Sequence, residues 1–172
     1  MKTKLNFIFA LLLTTNMFGQ VTYDDKTPLD TPNNKWSMVK LDSKYGIVNK
    51  NGKEIVPPIY DEIESFNIYK KGWISVKRNG KMGFINKHGK EVVAPKYDYI
   101  EGFDIIKNGW SLVTIDNKLG AINKHGKEVV KPKYDDIDPF GIVATGLSKV
   151  RMNEKYTFIN KKGNEVKYDE RY

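Results

Sequence analysis

The 172-residue sequence contains no cysteine, which excludes disulfides and lipid attachment at a lipobox, so the fold must be held by packing alone. Its two histidines, His88 and His125, have no further ligand types in phase with them, and no metal site is expected. Lys and Arg number 29 against 21 Asp and Glu, a net charge of +8, but the signs alternate and no block of like charge forms. A basic balance of this kind is an ordinary route to solubility, and no helix gathers the cations on one face, so nucleic acid is not an expected partner. Sustained helical periodicity is also missing. So are a phosphate-binding glycine loop, a metalloprotease helix and a serine elbow. Near-identical copies of Asp and Glu give no distinctive catalytic pair. The chain is expected to be non-enzymatic and to carry no cofactor.

Long apolar runs are lacking too. Lys2 and Lys4 precede an apolar stretch at 5–13, and a polar segment follows, ending in Phe18-Gly19-Gln20. Even taken from Leu5 to Phe18, the segment is too short for a membrane span and carries Asn6, Thr14, Thr15 and Asn16. The pattern is that of a secretory signal over 1–20, cleaved near Gly19 or Gln20. Export to the periplasm or beyond is the expectation, with no stable membrane span afterwards. Cleavage removes Lys2 and Lys4 and no acid, so +8 falls to about +6.

What the sequence does have is a period. Trp36, Trp73 and Trp110 stand 37 residues apart, and Leu147 holds the next position. Gly46, Gly83 and Gly120 keep the same step, as do Asn49, Asn86, Asn123 and Asn160. The pairs Tyr60-Asp61, Tyr97-Asp98 and Tyr134-Asp135 follow it as well. A fixed period in this range means an array of one small unit. The copies read as 36–72, 73–109, 110–146 and a truncated 147–172, preceded by a partial unit over 21–35. Tyr23-Asp24-Asp25 belongs to that partial unit. Tyr168-Asp169-Glu170 arrives three residues early, with the Val-Pro segment deleted. Irregular terminal units are the usual way to cap an array.

Within one copy, 73–77, 82–86 and 91–94 read as strands. Asn79-Gly80 is a hairpin turn, and Lys87-His88-Gly89-Lys90 a second turn that needs positive φ at its glycine. Pro95 ends the third strand, and a polar link leads to the next copy. The expected fold is all-β: an open stack of about four three-stranded antiparallel units, with a small propeller-like closed ring as the alternative.

The residues at 81–93, 95–98 and 146–150 resemble the WG repeat family, and the likeness extends over roughly 36–166. The tryptophan of the family's Trp-Gly pair is Tyr45, Met82, Leu119 and Tyr156 here, and its glycine becomes Thr157 in the last copy. The resemblance implies a bacterial repeat protein, often exported. It implies no catalytic residues and no general biochemical role.

Two sets of candidate ligand-binding residues emerge. Trp36, Trp73 and Trp110 form one row, either core or a platform for stacking sugar rings. Leu147 in that column favours core, since leucine packs but does not stack. Yet the tryptophans have opposite strand parity to Val39, Val76, Val113 and Val150, so one core cannot hold both. The turn lysines, including Lys50, Lys87 and Lys124, would line one edge, partly neutralised by Glu54, Glu91, Glu128 and Glu165. A solvated edge is the simpler reading of that ladder. Repeated aspartates such as Asp61, Asp98 and Asp135 read as turn-bonding side chains rather than calcium ligands. The expected function is recognition of a protein or cell-envelope polymer, with glycan binding as the alternative and a structural spacer as a third reading.

Overall fold

The computed structural model describes residues 22–29 and 35–167. The expected signal segment, part of the N-terminal partial unit and Tyr168-Asp169-Glu170 lie outside the described residues.

Four antiparallel meanders follow one another along the chain. The first holds β1 (Asp25–Pro28), β2 (Ser37–Leu41), β3 (Lys44–Val48) and β4 (Glu54–Tyr60). The second holds β5 (Glu62–Phe66), β6 (Trp73–Arg78), β7 (Lys81–Asn86) and β8 (Glu91–Tyr97). The third comprises β9 (Tyr99–Phe103), β10 (Trp110–Ile115), β11 (Lys118–Asn123) and β12 (Glu128–Tyr134). The fourth comprises β13 (Asp136–Ile137), β14 (Leu147–Met152), β15 (Lys155–Asn160) and β16 (Glu165–Val166). Among the described residues each sheet packs on the next, as an open stack with no closed barrel.

Each sheet has four strands where three were expected. The segment after Tyr-Asp, read from sequence as part of a link, is the edge strand of the next sheet: Ile63 pairs with Val76, Ile100 with Val113 and Ile137 with Val150. The sheets therefore divide at Asp61, Asp98 and Asp135, not at the tryptophans. The middle hairpins close through two-residue turns with both residues at positive φ, such as Asp116 (50°) and Asn117 (60°), whose twist matches that of the flanking strands.

The parity conflict resolves because both faces of a sheet are buried. Trp73, Phe84, Val93 and Tyr97 project forward and pack with Ile100, Val113 and Ile122 of the third sheet. Ile74, Val76 and Ile85 project backward onto Trp36, Ile47, Val56 and Tyr60 of the first. The same arrangement recurs one step on, where Trp110 and Tyr134 meet Val150 and Ile159. A sheet of four short strands encloses little by itself, so its stability comes from its neighbours.

A bulge explains one glycine column. Between the pairs Met82↔Tyr97 and Phe84↔Val93 lies only Gly83 on β7, against Ala94, Pro95 and Lys96 on β8. The bulged chain folds over the glycine. A Cβ there would stand 2.5 Å from the Val93 carbonyl oxygen and 2.7 Å from the Pro95 nitrogen. In the last unit the Val-Pro segment is missing from the sequence, and Thr157 occupies the glycine position.

Candidate functional site

The two ends of the stack differ in construction. At one end lie the tight hairpins and the one-residue joints between sheets. Asp98 accepts from the Lys81 ammonium of its own side and, at 2.7 Å, from the Asp116 N–H of the next sheet. Asp135 likewise joins Lys118 to the Asn153 N–H, and Asp61 joins Lys44 to the Gly80 N–H. The aspartates thus bond backbone turns, as expected, but each does so across a sheet boundary. The lysine hydrogen bond, more than any other influence, holds each of these carboxyls below the usual aspartate range.

A depressed carboxylate pKa contributes stability that is present above the unfolded value and lost as pH falls through the folded one. Denaturant midpoints are therefore expected to fall as pH drops below about 4, the ordinary aspartate value. Asp98→Asn should flatten that fall. An unchanged acid slope in the variant would remove the joint aspartates as its cause.

A second joint crosses each interface. The buried Tyr60, Tyr97 and Tyr134 hydroxyls donate to Glu91, Glu128 and Glu165 of the following sheet at 2.8, 3.0 and 2.8 Å. Burial, first of all, raises the pKa of all three phenols. Lys96 and Lys133 pair with Glu128 and Glu165 at 3.0 and 2.7 Å. Of the glutamates expected to neutralise the turn lysines, Glu91, Glu128 and Glu165 instead engage groups of the preceding sheet.

The opposite end carries two loops per sheet. The turns at 49–53, 86–90 and 123–127 are each organised by an asparagine. Asn86 Oδ1 accepts from the N–H groups of His88 and Lys90 at 2.8 and 3.1 Å, and Asn123 does the same for His125 and Lys127. Gly126 has φ +80°, and a Cβ there would strike the Val92 carbonyl oxygen of the preceding sheet. The turn glycine therefore serves both the turn and the stacking.

The longer loops at 67–72 and 104–109 are fixed by Asn67 and Asp104 at positive φ, whose side chains accept from the Gly72 and Gly109 N–H groups. Each loop buries one side of its tip and displays the other. Tyr69 and Ile106 pack inward, while Ile68, Ile105 and the equivalent Ile142 are 62%, 58% and 70% exposed. These three isoleucines also stand 37 residues apart. Sequence reading missed them because the loop was taken as a polar link; the signal was an identical aliphatic residue in a non-strand position of three copies.

The tryptophan candidates are buried beneath this end, where Trp73 pairs with Asn86 and Trp110 with Asn123. Trp36, Trp73 and Trp110 are 6%, 8% and 5% exposed. Trp73 stands edge-on to Phe103, and Trp110 near edge-on to Phe140, each aromatic belonging to the next unit. Lys70 covers the Trp73 ring at 3.9 Å and donates to the Lys124 carbonyl at 2.7 Å, and Lys107 lies over Trp110. The tryptophan row offers no free ring face on which a sugar could stack.

Lys50, Lys87 and Lys124 are exposed, and none joins an ion pair among the described residues. They share the isoleucine end. The Lys87 N–H donates to the Gly72 carbonyl at 3.0 Å, and the Lys124 chain runs beside Gly109. The structure thus joins the lysine candidates to an isoleucine row at the surface, with Trp73 and Trp110 buried directly beneath it.

The family model for the WG containing repeat matches residues 45–81, 82–118 and 120–156, together well over half of the chain. Its windows begin within the third strand of a sheet, out of phase with the structural division. Among curated proteins none matches the chain. By this threefold match the chain belongs to the WG containing repeat family.

Proposed function

We propose that the chain is an exported, non-catalytic recognition scaffold that binds a protein partner through the loop end of its stack. The observation that carries this reading is the isoleucine row. Ile68, Ile105 and Ile142 recur at one position and are exposed, the first two on loops closed by Asn67 and Asp104. Displaying a large aliphatic residue costs solubility and adds nothing to the core, so its repetition favours use by a partner. The recurring carboxylates are committed to joining sheets, which supports a structural rather than a catalytic use of them. Export rests on Lys2, Lys4 and the apolar stretch at 5–13. Many modest contacts, one set per unit, would give affinity by repetition.

A photo-crosslinking residue placed at 105, compared with one at 117 on the opposite end, tests this reading in the producing cell. Discrete protein adducts from position 105 and none from 117 are expected. Equal labelling from both positions, or none from 105, sinks the proposal.

A further inference from the structure

The loop end presents two parallel rows of opposite character. The residues of its loops and turns (49–53, 67–72, 86–90, 104–109, 123–127, 141–146 and 160–164) include eleven lysines and one acid, Asp104. The Asp104 carboxylate is already occupied by the Gly109 N–H. Lys70 and Lys107 are folded over tryptophans, whereas Lys50, Lys87 and Lys124 are exposed. A line of aliphatic side chains thus runs beside a line of lysines that enter no ion pair among the described residues.

The pitch of these lines is set by sheet stacking, about 10 Å per layer. An α-helix rises about 10.5 Å in seven residues and returns nearly to the same face. An extended strand covers that distance in three residues, which turns the side chain to the opposite face. A helix with an apolar residue every seventh position therefore meets successive isoleucines, and a strand does not.

Resting on the recognition reading above, we infer that the partner segment is an acidic amphipathic helix laid along the stack. Its apolar heptad positions contact Ile68, Ile105 and Ile142, and its flanking Asp and Glu face Lys87 and Lys124. Recognition is of the helix-along-a-surface kind, with charge fixing direction and register.

The test uses synthetic peptides and mature protein beginning at Val21, read by fluorescence anisotropy. The first probe is a 22-residue helical peptide with leucine every seventh residue, flanked by glutamates. A second has the same composition with the leucines moved off the heptad spacing, and a third replaces glutamate by lysine. The heptad acidic peptide should bind at least tenfold more tightly than either control. Ile105→Asn and, separately, Lys87→Glu with Lys124→Glu should each weaken it at least fivefold. These side chains are exposed, so the variants should keep the parent's tryptophan emission; the two sets act through different chemistry, and either suffices to decide. Equal binding of the two acidic peptides, or binding unchanged in both variants, overturns the inference. Preferential binding to phosphatidylglycerol vesicles, lost in the same variants, overturns it in favour of a membrane surface. Adducts from position 105 together with no peptide discrimination would leave the loop end as the recognition surface and refute only the helix.

Discussion

Trp73→Ala is expected to destabilise the protein by about 3–5 kcal/mol, the range for removing a large buried aromatic side chain. Trp73 is 8% exposed and contacts Phe84 of its own sheet and Phe103 of the next, with ring centroids 5.2 and 5.7 Å apart. Its loss would open a cavity between two sheets and release Lys70 from the ring. Trp73→Leu should cost less than the alanine, because leucine refills part of the space that the indole vacates. Urea denaturation of both variants measures the difference. A cost below about 1 kcal/mol for the alanine would mean that the indole is not part of the packed interface. Blue-shifted emission that resists acrylamide should accompany the wild-type result, since all three indoles are buried.

Gly83→Ala is the second large effect, at about 3 kcal/mol, the upper end of what overpacking costs. The added methyl would meet backbone atoms of Val93 and Pro95, which cannot swing aside as a side-chain tip can. Gly80→Ala separates this clash from backbone strain. Gly80 has φ +73° and nothing within 4 Å of a new Cβ, so only the left-handed conformation is penalised, by about 1–2 kcal/mol. Thermal unfolding of the pair checks the order. If Gly80→Ala proves the more damaging, the close approach of β8 is not what requires glycine at position 83.

Much of this architecture was readable from the period. Gly89 and Asn86 could be read as turn residues because positive φ and a side-chain acceptor are local requirements, although the glycine also lets the turn approach Ile55 of the preceding sheet. The edge strand was harder to see. It is only two to five residues long and runs directly into polar loop residues, so it reads as part of the link between copies. The tryptophan and valine parities looked contradictory because one core was assumed, whereas stacking gives every inner sheet two. The Tyr97–Glu128 hydrogen bond spans 31 residues, less than one period, and its partners lie in different columns, so self-alignment of the repeats cannot reveal it. The site was legible in half. The lysine ladder was visible as turn chemistry, while Ile68, Ile105 and Ile142 were hidden in segments classed by their polar neighbours.

Because each sheet is joined to the next through a single residue and the same Asp, Tyr and Glu contacts, one interface design serves every junction. Inserting a further 37-residue segment between Asp98 and Tyr99 would create no new kind of contact and would demand no compensating change elsewhere. The molecule would simply grow by one layer, with one more isoleucine rung. Length is then a freely adjustable quantity for such a chain, and the number of copies becomes a ruler set by gene duplication against the span of whatever lies along it.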